Sequence, residues 1–270
     1  MARVNSKRRA DVTRGVAWLA AGLLPILAML AIWEGFARSG LVTPFMLPSL
    51  SATLERIAGD VASGELMINI GLTLYRALAG FLIAAVVGIV LGLLIARMPL
   101  IHWFFDPIIS VAFPMPKIAF LPIFILWFGF FDLSKIWMVV FNTIFPVVTA
   151  TAVGIQGVER EILWSAGSLG TKKRRLLWQI MLPAALPQIL TGLQVALPIA
   201  LIITVVTEMS MGGYGVGGSM LQASRFADSR GVFAGIIVTA VIGYALIKGM
   251  ALIRHRLLIW HQEAIEPTTA

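Results

Sequence analysis

Apolar residues fill stretches at about 16–36, 69–96, 101–130, 133–156, 184–209 and 231–253, with short polar breaks between them. A helix rises ~1.5 Å per residue and needs ~20 apolar residues to cross a hydrocarbon core. The pattern therefore predicts an all-α polytopic membrane chain of about six spanning helices. Between the first two stretches, Leu50, Leu54, Ile57 and Val61 are interleaved with Glu55, Arg56 and Asp60. That spacing predicts an amphipathic helix at the outer interface, packed on the protein's own surface.

Three of the spans carry finer marks. The second has Gly80, Ala84, Gly88, Gly92 and Ala96 at every fourth position, a ladder that lets two helix backbones approach in lipid. Arg76, nearer its outer end, needs water or a polar neighbour. The third is broken by Pro114, Pro116 and Pro122. Lost backbone donors force it to unwind or kink, and unwound backbone at membrane depth survives only against protein or a water-filled cavity. Pro114, Pro116 and Lys117 are thus the first candidates for a translocation path, with snorkelling of Lys117 to an interface the alternative. In the fifth span Glu208 falls near the outer end, as a gate on that path, a salt-bridge partner, or a carboxylate bonded to the next loop. That loop, 212–218, contains G-x-G-x-x-G, but it follows a membrane helix and has no βαβ unit around it, so it reads as a flexible turn and not a nucleotide site.

The one long hydrophilic interruption of the second half is 159–183. Ile162, Leu163, Ala166 and Leu169, then Leu176, Leu177 and Ile180, recur at helical spacing on either side of Gly167 and Gly170, which predicts helix, tight bend, helix. Pro183 then opens the next apolar segment, where a missing N–H costs little.

Composition agrees with a membrane protein: 59% of the 270 residues are hydrophobic and 13% charged, and the mean hydropathy is +0.92. The net charge of +8 comes from clusters beside apolar runs, which points to membrane-flanking charge in a lipid bilayer and not to nucleic acid. The absence of cysteine excludes disulfides and thiolate ligands. Arg3, Lys7, Arg8, Arg9 and Arg14 precede the first span, which has no convincing cleavage site and reads as a retained helix. With the N-terminus inside, fourteen Lys and Arg fall in cytoplasmic segments and five in external ones. The positive-inside bias places 159–183 and both termini in the cytoplasm. The parts are then a basic N-terminus 1–15, a membrane domain 16–260 and a tail 261–270. His102, His255 and His261 are far apart and the carboxylates are scattered, so neither a catalytic nor a metal site is expected.

Gly170, nine residues, then Ile180, Leu182 and Pro183 resembles the G-x9-I-x-L-P core of the EAA loop in permeases of ABC importers. The loop's acidic position is Trp164 here, followed by Ser165, and Ala166 matches. The prolines around Lys117 with Trp127 and Gly129, and Glu208 before a glycine-rich turn, resemble the nitrate/sulfonate/bicarbonate branch. That resemblance covers about 33–260. It implies the type I importer permease fold, an ATPase-coupling role for Trp164, Ser165, Ala166, Gly167, Gly170, Ile180, Leu182 and Pro183, a second permease copy, cytoplasmic ATPases and an external or periplasmic solute-binding protein. It also implies that ATP and Mg are held by the ATPase, this chain lacking a G-x-x-x-x-G-K-[ST] loop. The branch carries sulfonates, nitrate and bicarbonate, and also neutral and cationic vitamin precursors. A secondary transporter predicts several intramembrane ionisable groups and repeated halves, and a membrane enzyme predicts polar groups converging at one depth; the sequence shows neither.

Overall fold

The small-residue ladder packs two helices backbone to backbone. The computed structural model describes residues 24–259, apart from the side chains of Lys173 and Arg174. Helix α1 covers 24–38, α2 Leu50–Ala62 and α3 Glu65–Arg97. A Cβ built on Gly80, Gly88 or Gly92 of α3 would lie 2.6, 2.9 or 2.7 Å from the Cβ of Val139, Val147 or Thr151. All three partners belong to α6, Asp132–Gln156. Residue numbers rise together along both helices, so α3 and α6 run parallel.

Two parallel neighbours leave the end of α3 and the start of α6 on opposite sides, so the chain between them must cross back. It does so through α4, Pro99–Ala112, a 3-10 turn Lys117–Phe120 and α5, Leu121–Phe128. The two halves are bent by 98°, so the stretch predicted as one span, 101–130, is a pair of short helices at a right angle. Pro114 and Pro116 lie in the linker, where they supply no N–H to continue α4, and Pro122 sits in the first turn of α5, where none is needed.

The short helix α7, Arg160–Ser168, leads into α8, Lys173–Leu176. Here the expectation of a separate second helix ending before Pro183 is corrected. From α8 the chain passes without a break through a π-helical turn, Leu177–Met181, into α9, Leu182–Met211. Pro183 has no N–H to give to the turn before it, which leaves room for the wider i→i+5 bond from Leu182 N–H to the Leu177 carbonyl. Helix α9 runs antiparallel to α6, with Gly154 facing Gln188 and Gly192 facing Ala150. After the glycine-rich loop come α10, Val216–Arg225, and α11, Ser229–Leu257.

Among the described residues four helices are long and apolar enough to cross a membrane: α3, α6, the continuous Leu177–Met211 helix and α11. The bent α4–α5 pair is a fifth if taken as one span. Of the first predicted span, 16–23 lie outside the described residues, as do the predicted segments 1–15 and 261–270. The core lies where α3, α6 and α9 meet, around Phe81, Val139, Val147, Leu190 and Leu197. Helix α2 starts at Ser49, whose hydroxyl accepts from Ala52 N–H at 3.3 Å, and lays Ile57 against Leu66 and Val238.

Substituting Gly80→Val tests the ladder. The Ile136 carbonyl is 2.9 Å from the new Cβ and belongs to a helix backbone, so α3 and α6 must part. Overpacking costs ~1–3 kcal/mol, and the purified protein is expected to lose thermal midpoint on size exclusion in detergent. An unchanged midpoint would show that the contact does not hold the helices.

Candidate functional site

Three regions carry the sequence-predicted residues, and the fold keeps them apart. At the end of the bundle that holds α7, Leu163 packs on Ile155 and Met181 and Ala166 is buried. The other face is open: Trp164 is 66% and Leu169 87% exposed, with Ile162 beside them. Gly170 stops the helix. Its φ is +77°, its N–H donates to the Gly167 carbonyl at 3.0 Å, and Thr171 N–H donates to Ala166 at 3.1 Å. This is a Schellman cap, which requires a left-handed residue at the Gly170 position. Ser165 and Gly167 are exposed, Ile180 and Leu182 half-buried and Pro183 exposed. Arg97, at the end of α3, donates to Met181 Sδ at 2.8 Å and ties that helix to the π-helical turn.

The second region is the bend between α4 and α5. Pro114 and Pro116 are exposed and Lys117 half-buried. The Lys117 ammonium donates to the Phe113 carbonyl at 3.2 Å and lies 4.9 Å from the centre of the Phe145 ring and 5.8 Å from that of Phe113. Phe145 is in the middle of the 25-residue α6, ~20 Å from its first residue. The ammonium therefore sits at mid-length of a membrane helix, held by π faces and a carbonyl. From Phe145 a chain of rings continues through Phe141, Phe124 and Phe128 to Trp137, with centroids 5.8 to 6.3 Å apart. These rings are not marked by the apolar pattern alone, although Phe120, Phe124 and Phe128, like Phe141 and Phe145, fall at i,i+4 spacing.

The third region is the opposite end of the bundle, where Glu208 of α9 is wholly buried. Its carboxylate accepts from Arg76 Nη1 at 2.6 Å, from Thr73 Oγ1 at 2.9 Å and from Gly217 N–H at 3.0 Å. Arg76 also reaches Asp132 Oδ1 at 2.7 Å and the Tyr214 carbonyl at 2.6 Å. Of the three readings open for Glu208, the structure shows two, the salt-bridge partner and the carboxylate bonded to the next loop, with the side chain enclosed by α3 and that loop. The polar neighbour required by Arg76 is this carboxylate together with Asp132, neither of which the sequence reading paired with it. The structure thus brings Glu208 to Arg76 and not to Lys117, and it separates both from the α7 loop. Among the described residues no group of His, Asp and Glu has the geometry to hold a metal.

The described residues are helical throughout their regular structure, with an exposed, glycine-capped loop helix and a proline-broken span. Residues 88–258 match the model of the family described as "Binding-protein-dependent transport system inner membrane component". The chain belongs to this family. It is 35% identical over 243 residues to the "Putative aliphatic sulfonates transport permease protein SsuC" of Bacillus subtilis (strain 168), covering 90% of this chain and 88% of that one. It is 32% identical over 250 residues to the "Taurine transport system permease protein TauC" of Escherichia coli (strain K12), covering 91% and 90%. The fold is similar to that in a crystal structure of an amino acid ABC transporter, with a TM-score of 0.59 at 17% identity over 74% of this chain and 97% of that one. This member of the family is therefore a multi-pass inner-membrane permease of an ABC importer, not an enzyme, and the family implies a separate ATPase and a solute-binding protein as partners.

Proposed function

We propose that two copies of this permease form the path of an ATP-driven importer for a small organic anion of the sulfonate class, passing at the bend between α4 and α5. The observation that carries this reading is the Lys117 ammonium, half-buried at mid-length of α6 and open on the side away from its own subunit. A cation at that depth attracts anions and repels cations, and the low dielectric strengthens both effects. The relatives named for aliphatic sulfonates and taurine support the same class of substrate. In this reading the exposed face of α7 docks on a cytoplasmic ATPase that holds ATP and Mg, and both termini are cytoplasmic. The solute-binding protein then meets the opposite end, beside α10.

Replacing the charge tests it. In liposomes carrying the full complex, Lys117→Met is expected to cut sulfonate uptake roughly tenfold, in keeping with ~1.5–3 kcal/mol for a hydrogen bond to a charged group, while the ATPase still co-purifies. Uptake at the unsubstituted rate would put Lys117 outside the path.

A further inference from the structure

The loop between α9 and α10 is held at five main-chain atoms by side chains from the membrane helices. Gly215 N–H donates to Asn69 Oδ1 at 2.8 Å, Val216 N–H to Thr73 Oγ1 at 2.9 Å and Gly217 N–H to Glu208 Oε2 at 3.0 Å. The Tyr214 carbonyl accepts from Arg76 and the Gly212 carbonyl from Lys135 at 3.2 Å. Asn69, Thr73, Arg76, Lys135 and Glu208 are all at least nine-tenths buried. The glycines are required by this packing, since a Cβ on Gly215 would run into the Glu208 carboxylate. Arg76 of α3 joins α9 through Glu208 and α6 through Asp132, so one guanidinium links the same ends of three helices and the loop. A loop bonded at five main-chain atoms is not the flexible turn its glycine content predicts.

We propose that Arg76, Thr73 and Glu208 are positioning residues that make the loop and the adjoining ends of α3, α6 and α9 one body through the import cycle. Access at this end then changes by movement between permease copies, with the cluster inside each copy staying shut. Glu208 acts by holding the loop and does not touch the solute. This inference rests on the importer reading above, and the two fail differently.

The test is hydrogen–deuterium exchange on the complete importer in nanodiscs, nucleotide-free and after trapping with ATP and vanadate. Exchange in peptides covering 212–218 is expected to be slow and to differ less than about twofold between the two states. Thr73→Val removes one hydroxyl and is expected to speed exchange there roughly tenfold and to slow uptake, while Thr73→Ser restores both. Deprotection of the loop on trapping in the unsubstituted protein would overturn the inference, because the cluster would then open in the cycle. So would Thr73→Val that leaves either exchange or uptake unchanged, or Thr73→Ser that fails to rescue. Should Thr73→Val not assemble, the comparison of the two trapped states decides alone. If no ATPase co-purifies, the importer reading falls, and exchange in the isolated chain and its two Thr73 variants still judges whether the cluster holds the loop.

Discussion

Gly170→Trp is expected to leave the permease in the membrane but to cut uptake roughly tenfold or more and to free ATP hydrolysis from solute control. A left-handed residue without the freedom of glycine costs ~1–2 kcal/mol, and Gly170 holds φ +77° as part of the cap that ends α7. Nothing lies within 4 Å of a Cβ at this position, so the damage comes from the backbone. The chain leaves α7 in another direction, and the exposed Trp164 and Leu169 turn with it. Aromatic anchors such as tryptophan carry much of the energy of a protein interface, so a displaced face loses its partner. Gly167→Ala is the control: that residue is helical, its Cβ also meets nothing, and alanine favours the helix by ~0.5–1 kcal/mol. Hydrolysis and uptake measured together in proteoliposomes decide the matter. Coupled, full-rate transport by the Gly170→Trp variant would remove α7 as the docking helix.

Gly170 and the ladder glycines of α3 show what was legible. Gly170 ends a helical run before the polar run 171–175, and the cap it forms involves only residues 165–171, so its role is written locally. The ladder of Gly80, Gly88 and Gly92 is also local, and it announced a close helix contact, though not that the partner would be α6 or that the two would run parallel. The proline break around Lys117 was legible as a break. Its right angle was not, since one straight span would recross between the parallel helices equally well. The π-helical turn before Pro183 leaves no mark in hydrophobic spacing, since a single widened turn shifts the apolar stripe by less than one position. Glu208 was hardest to place, because its partner Arg76 lies 132 residues away. The cost of an ionised group in lipid shows that Arg76 needs a polar neighbour, but not which one.

Because that pair is buried, the cost of breaking it depends on how it is broken. Arg76→Met leaves the Glu208 carboxylate fully enclosed, still bonded to Thr73 and Gly217 but with no cation in hydrogen-bond contact. Removing one partner of a buried ion pair costs ~3–5 kcal/mol, whereas replacing both is often close to neutral. Arg76→Met combined with Glu208→Gln removes both charges, and the amide oxygen still accepts from Gly217 N–H or Thr73. The double variant is therefore expected to be more stable than Arg76→Met alone, although it does not recover fully, since Asp132 and the Tyr214 carbonyl have also lost their donor. In thermal unfolding followed by size exclusion in detergent, the single change is expected to lower the midpoint by on the order of 10 °C and the double change to regain about half of that. If the two losses simply add, the charges do not act as a pair, and Arg76 stabilises the end of the bundle through Asp132 and the loop carbonyl instead of through Glu208.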